Sequence, residues 1–182
     1  MITAIAVVSI LLAACVLYLV GRAILGVFLQ YRGTRVVTCP ETERAAGVHV
    51  DLRRATQAAL RGSTEIRLDS CTRWPEKQHC GQECLKQIQQ SPADCLMVNI
   101  VTRWYQGKNC ASCGKSIGEI HWADHKPGLL SPAKQLVEWS RLAPETLPDV
   151  LATHQPVCWN CMIVQGMIVQ HPGLVLDRAR KI

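Results

Sequence analysis

HQPVCWNCMIVQGMIVQ, residues 154–170, sets Cys158 and Cys161 two residues apart and follows them at once with an apolar run. Two thiols so close bond to each other, carry redox chemistry or clip a metal. The choice depends on the other eight cysteines and on the compartment. The chain has 182 residues, ten of them cysteine and one phenylalanine, enough for an anchor plus one domain or two small ones. Small domains bury too little apolar surface to offset chain entropy comfortably, so disulfides or metal are expected to supply cohesion.

The compartment is decided by the first 35 residues, MITAIAVVSILLAACVLYLVGRAILGVFLQYRGTR, which hold no charged side chain before Arg22. A bilayer-spanning helix needs roughly 20 apolar residues, and residues 2–29 supply them, either as a span ending near Val20 or as one longer tilted helix. A secretory signal is disfavoured by the missing basic n-region and by the length of the apolar block. LAAC, residues 12–15, resembles a bacterial lipobox, which would make Cys15 a lipidated N-terminus. The same missing basic residues stand against it, and Cys15 reads as a small membrane-buried hydrophobe. Arg22, Arg32 and Arg35 all follow the helix, so the positive charge predicts a single-pass membrane protein with a cytoplasmic C-terminal body. Thiols stay reduced there, which favours metal or redox chemistry over a disulfide scaffold.

Cys110 and Cys113 form a second C-x2-C clip in CASCGKSIG, residues 110–118, and 44 residues separate the two clips. Four thiolates in two clips suit one tetrahedral Zn²⁺, because each clip supplies two adjacent corners. CASCGKSIG resembles the knuckle of zinc-ribbon and treble-clef modules, where glycine after the second ligand lets the backbone turn so that amides face the sulfurs. The second clip, at the head of an apolar run, resembles the N-terminus of the treble-clef helix, whose dipole and unpaired amides stabilise thiolate charge. The resemblance covers residues 106–170 and implies Cys110, Cys113, Cys158 and Cys161 as ligands of one zinc. The spacer is longer than a zinc ribbon's and predicts an inserted helix around AKQLVEWSRLA, residues 133–143. A thioredoxin-like redox role for Cys110 and Cys113 competes, since the strand-like VNIVTRWY precedes them, but GKSIGEIHW afterwards does not look like the helix that fold requires.

The first half poses the same problem without a second C-x2-C. Its thiols are Cys39, Cys71, Cys80, Cys84 and Cys95, with His79 beside Cys80. The preferred grouping is a second zinc site from Cys39, Cys71, Cys80 and Cys84, where a turn, a strand end and a helical C-x3-C converge, leaving Cys95 spare. An iron–sulfur set of Cys71, Cys80, Cys84 and Cys95 is the alternative, although its spacing matches neither ferredoxin pattern. Ordinary structural thiols are the plain reading of either set.

Around these residues the pattern predicts strands through Val37, over residues 47–52 and along STEIRLDS, residues 63–70. Helices are predicted over RRATQAALRG, ended by Gly62, and CGQECLKQIQQ, stopped by Ser91-Pro92. DCLMVNIVTRWY, residues 94–105, and a short stretch through Trp122 read as strands, while residues 123–135 and 141–148 read as proline-punctuated connections. Trp74 and Pro75 are expected to pack a loop, and His121 and His125 to be loop residues.

The expected fold is therefore α+β: a transmembrane anchor over residues 1–30, a cysteine-containing subdomain over 31–100 and a zinc-ribbon-like subdomain over 101–182. No P-loop, H-E-x-x-H, G-x-S-x-G or Rossmann glycine pattern is present, and the absence of any H-x-E removes the zinc-deaminase reading of PVCWNC. No catalytic set and no small-molecule substrate are evident. The formal charge of +6 is scattered, with clusters at Arg53-Arg54 and RARK, residues 178–181, and no aromatic-basic stripe for nucleic acid. The expectation is a zinc-binding small subunit, adaptor or assembly factor of a membrane complex, with the bilayer and other subunits of that complex as partners. An electron-transfer or thiol-redox component is the second reading, and a membrane-tethered nucleic-acid-binding zinc module the third.

Overall fold

The computed structural model describes residues 2–74, 76 and 80–170, and the chain divides into two compact units, one ending at Met97 and the other beginning at Val98. His79, Pro75 and the RARK cluster lie outside the described residues.

The first unit opens with α1, Ile2–Tyr31, a helix long and apolar enough to cross a membrane, a property that signal sequences share. From Thr3 to Arg22 every side chain is exposed, a run of about 30 Å, the thickness of a bilayer's hydrocarbon core. Beyond it Ala23, Val27 and Tyr31, spaced by four and so on one helix face, are partly covered, and Val27 and Tyr31 pack on the core of the unit. The last turns of α1 lie against α2, Leu52–Leu60. Asp51 caps α2 by accepting from the Arg54 amide at 3.0 Å, and Gly62 turns the chain away at φ +74.

Three antiparallel strands complete the unit: β1, Arg35–Thr38, β2, Ala45–Val50, and β3, Leu68–Cys71, in the order β1-β2-β3. Val37, Ala46, Val48, Val50 and Leu68 bury one face against Ala55 of α2 and Ile88 of α3, Leu85–Gln90. STEIRLDS is strand only in its second half, where β2 is available to pair.

Arg35 is the exception in this core. It is 1 % exposed, its guanidinium donates to the carbonyls of Gln30 and Pro92, and it lies 5.8 Å from the centre of the Tyr31 ring. Burial pulls its pKa below the ordinary arginine value, and the charges of Cys95 and Tyr31 oppose that shift. Gln30 belongs to the last turn of α1, so the buried cation meets the negative end of that helix.

Residues expected as a strand form α4, Met97–Tyr105, which from Val98 onward belongs to the second unit. Met97, Val101 and Tyr105 are its buried positions, a spacing of four that suits a helix, and this periodicity outweighs the β-branched composition. A second antiparallel sheet is built from β4, Gly128–Leu130, β5, Leu136–Val137, and β6, Gln155–Val157, in the order β5-β4-β6. The predicted helix over residues 133–143 is absent. Pro132 and Lys134, at φ +58, close a hairpin that pairs β5 with β4, and a single 3₁₀ turn, Trp139–Arg141, follows. The stretch through Trp122 holds no strand beyond an isolated bridge between Asn109 and Ser116. α5, Leu147–Thr153, and α6, Trp159–Gln170, complete the unit. Leu129, Leu147 and Val157 are fully buried with Tyr105, whose hydroxyl donates to the Gly128 carbonyl at 2.6 Å.

Candidate metal centre

Two short pieces of chain bring four cysteines of the second unit together. The first is the turn after α4. The Cys110 amide donates to the Lys115 carbonyl at 2.8 Å, the Gly114 amide donates back to the Cys110 carbonyl at 2.8 Å, and Gly114 sits at φ +72. That left-handed conformation is costly for residues with a Cβ, which is why glycine follows the second thiol of this clip. The second piece is β6, which the Ala111 amide joins by donating to the Pro156 carbonyl at 2.8 Å. Leaving β6, the chain enters α6 through Cys158, whose carbonyl accepts the first helical bond, from Met162. Gln165 then ties the helix back to the turn by donating to the Ser112 hydroxyl at 3.1 Å. Gly128 of β4 lies directly beneath α6, since a Cβ there would stand 1.9 Å from the Met162 sulfur.

The result is that the sulfurs of Cys110, Cys113, Cys158 and Cys161 all lie within 4.8 Å of one another, with Cys113 and Cys158 3.8 Å apart. Four ligands at a zinc–sulfur distance of about 2.3 Å define a tetrahedron with edges of about 3.8 Å. The separations therefore match one ion in the middle, and they exceed the roughly 2.05 Å of a disulfide. The set is compatible with a zinc-binding module, and its donors suit a thiophilic ion.

Electrostatics separates the four thiols. Burial raises the pKa of Cys110, but the amides of Cys158, Cys113 and Ser112 point at its sulfur and bring it down to about 6; the Cys158 amide lies 3.3 Å away. Cys161 is pushed up to about 12, by desolvation first and then by bonds to Cys158, Cys113 and Cys110 and the charge on Cys110. Cys158 is also raised, chiefly by desolvation. At neutral pH, before a metal binds, Cys110 is a thiolate while Cys158 and Cys161 keep their protons. An incoming ion must displace at least those two protons, so apparent affinity for a thiophilic ion such as zinc should fall at least about a hundredfold for each unit that pH drops below neutrality. A competition titration against a chromophoric chelator between pH 6 and 8 checks this. A slope near zero would show that no proton leaves on binding, and so that Cys158 and Cys161 are already ionised before the metal arrives.

The first-half cysteines are placed less tightly. Cys39 follows β1 at the hairpin turn, Cys71 ends β3, Cys80 leads into the turn before α3, and Cys84 stands buried at its start. Cys84 is raised to about 11, first by burial and then by the charges of Cys71, Cys80 and Cys39, in that order. Cys95 donates to the Gln87 carbonyl at 3.7 Å. Among the described residues these thiols do not close to the spacing of the Cys110 set. Trp74 packs against the core of the first unit, and His121 and His125 sit at the two ends of a turn in the second. Sequence reasoning missed the Ser112–Gln165 link and the seat of α6 on Gly128, which depend on tertiary packing and leave no motif. Comparison with protein-family models, curated proteins and solved structures gives no significant match.

Proposed function

We propose that the chain is a single-pass membrane protein whose second unit is a structural zinc module, acting as a small subunit, adaptor or assembly factor of a membrane complex. The spacing of the four sulfurs carries this reading. One tetrahedral ion satisfies all four thiolates, and a closed four-thiolate shell leaves no position for a substrate. A polynuclear iron–sulfur cluster holds its cysteine sulfurs farther apart, so the spacing favours a single ion over a cluster. A binding role also fits the surface of α6, where Ile163, Val164, Met167 and Ile168 are exposed beside a cleft of about 520 Å³ lined by Leu136, Trp139 and Trp159. Orientation rests on Arg22 and Arg32, both exposed, since Arg35 is folded inside.

Metal and iron analysis of anaerobically purified full-length protein tests the metal, and the expected sample is colourless and contains zinc. Brown protein with stoichiometric iron and sulfide would replace the adaptor with an electron carrier. An impermeant thiol reagent tests the orientation. Applied to intact cells together with an impermeant chelator, it should leave Cys113 and Cys158 unmodified until the cells are opened, and rapid labelling from outside would reverse the topology and bring disulfides back into consideration.

A further inference from the structure

We infer that the first unit holds a second thiolate zinc site, formed by Cys39, Cys71, Cys80 and Cys84 on a turn that repeats the one at Cys110. The inference rests on the zinc chemistry proposed for the Cys110 set and extends it to residues that set does not contain.

The two turns agree position by position. The Cys39 amide donates to the Arg44 carbonyl at 2.9 Å, as Cys110 does to Lys115. The Glu43 amide donates back to the Cys39 carbonyl at 2.8 Å, as Gly114 does to Cys110. Glu43 occupies the left-handed region at φ 54, as Gly114 does at φ 72, although glutamate has a Cβ and glycine has none. The amides of Glu41 and Thr42 point at the Cys39 sulfur, as those of Ser112 and Cys113 point at Cys110. A four-residue hairpin loop makes the backbone bonds without any metal. It does not account for a thiol placed under two amides, nor for what surrounds that thiol.

The turns differ at the third position after the cysteine, where Thr42 stands in place of Cys113. Its hydroxyl is buried at the Cys39 thiol and has no nitrogen or oxygen partner among the described residues. This turn therefore supplies one ligand, and three must come from elsewhere. β1 and β3 both run antiparallel to β2 and so run the same way; Cys71 pairs with Val48, level with Arg35, while Cys39 lies beyond Thr38, and both pack against the core cluster that contains Cys84. Buried Cys84 lies within electrostatic reach of Cys71, Cys80 and Cys39. Thiols gathered around buried Cys84 repel as thiolates, and a divalent cation with a preference for sulfur removes that conflict. Cys71 and Cys80 are only partly buried, and metal binding requires their side chains to turn toward Cys84. Cys95 is engaged by Gln87 and Arg35 and stays outside the set.

Zinc counting on the full chain in detergent, prepared anaerobically, is the test. The unsubstituted protein should carry two equivalents. Cys39→Ser, Cys84→Ser and Cys110→Ser should each keep one, and Cys95→Ser should keep both. One equivalent that is lost in Cys110→Ser and retained in Cys39→Ser defeats this inference while leaving the first site standing. Absence of zinc from the unsubstituted protein defeats both readings. Because a serine variant can fail to fold, cobalt(II) is also titrated into the unsubstituted chain after zinc removal. Sulfur-to-cobalt charge-transfer absorption should grow to two equivalents, and an end point at one overturns the second site without reference to any variant.

Discussion

Serine at Cys110 or at Cys158 is expected to unfold the second unit, with loss of one equivalent of zinc and new protease sensitivity beyond about residue 105. A structural zinc supplies roughly 10–16 kcal/mol near neutral pH, whereas a whole domain retains about 5–15 kcal/mol of net stability. The unit has few other resources. Its sheet consists of strands of three, two and three residues, and its fully buried side chains are few. With all four sulfurs holding the one ion proposed above, the double variant should be little worse than either single one. Zinc content and limited proteolysis of both single variants and the double decide the matter. A Cys110→Ser protein that folds, keeps its zinc and loses only a thiol-exchange activity would make the clips independent and the chemistry redox.

The second large effect is expected at Arg35. Methionine there keeps much of the volume but strips charged donors from the carbonyls of Gln30 and Pro92. Net values for hydrogen bonds to a charged group run from about 1.5 to 3 kcal/mol, so the pair sets a loss of about 3–6 kcal/mol in the stability of the first unit. Lysine should recover less than half of it, because one ammonium on a flexible stem does not reproduce the planar fork that reaches two carbonyls. Urea unfolding of the full-length variants in detergent measures both. An Arg35→Met protein within about 0.5 kcal/mol of the original would mean that the buried cation contributes nothing net, as some buried charges do.

Arg35 also shows where the sequence misleads. As one of three arginines after an apolar segment it reads as a flanking surface charge, and nothing local reveals that the Gln30 carbonyl five residues back and the distant Pro92 carbonyl will enclose it. The same holds for VNIVTRWY. Its composition favours a strand, and only the burial of Val101 and Tyr105 on one face, decided by packing, makes it helix. Residues 133–143 contain good helix formers, yet β4 offers Leu136 and Val137 a pairing partner, and tertiary pairing overrides propensity. The Cys110 set was legible for the opposite reason. Ligand spacing, the glycine at φ +72 and the helix start after Cys158 are local features written in consecutive residues. The Cys39 turn lay between these cases. Its backbone repeats the first, but glutamate and threonine stand where glycine and cysteine would have announced it.

Three residues, Arg32, Gly33 and Thr34, separate the end of α1 from the first residue of β1, and Arg35 grips the Gln30 carbonyl across that gap. The junction is stiff. Gly33 sits at φ +90 with the Leu96 side chain 3.1 Å from where a Cβ would be, so little slack is stored in the connection. A helix joined in this way behaves as a shaft and not as a tether. For α1 held in a bilayer, turning it by one residue's step, about 100°, swings the attached sheet through the same angle and changes which face of the first unit looks along the lipid surface.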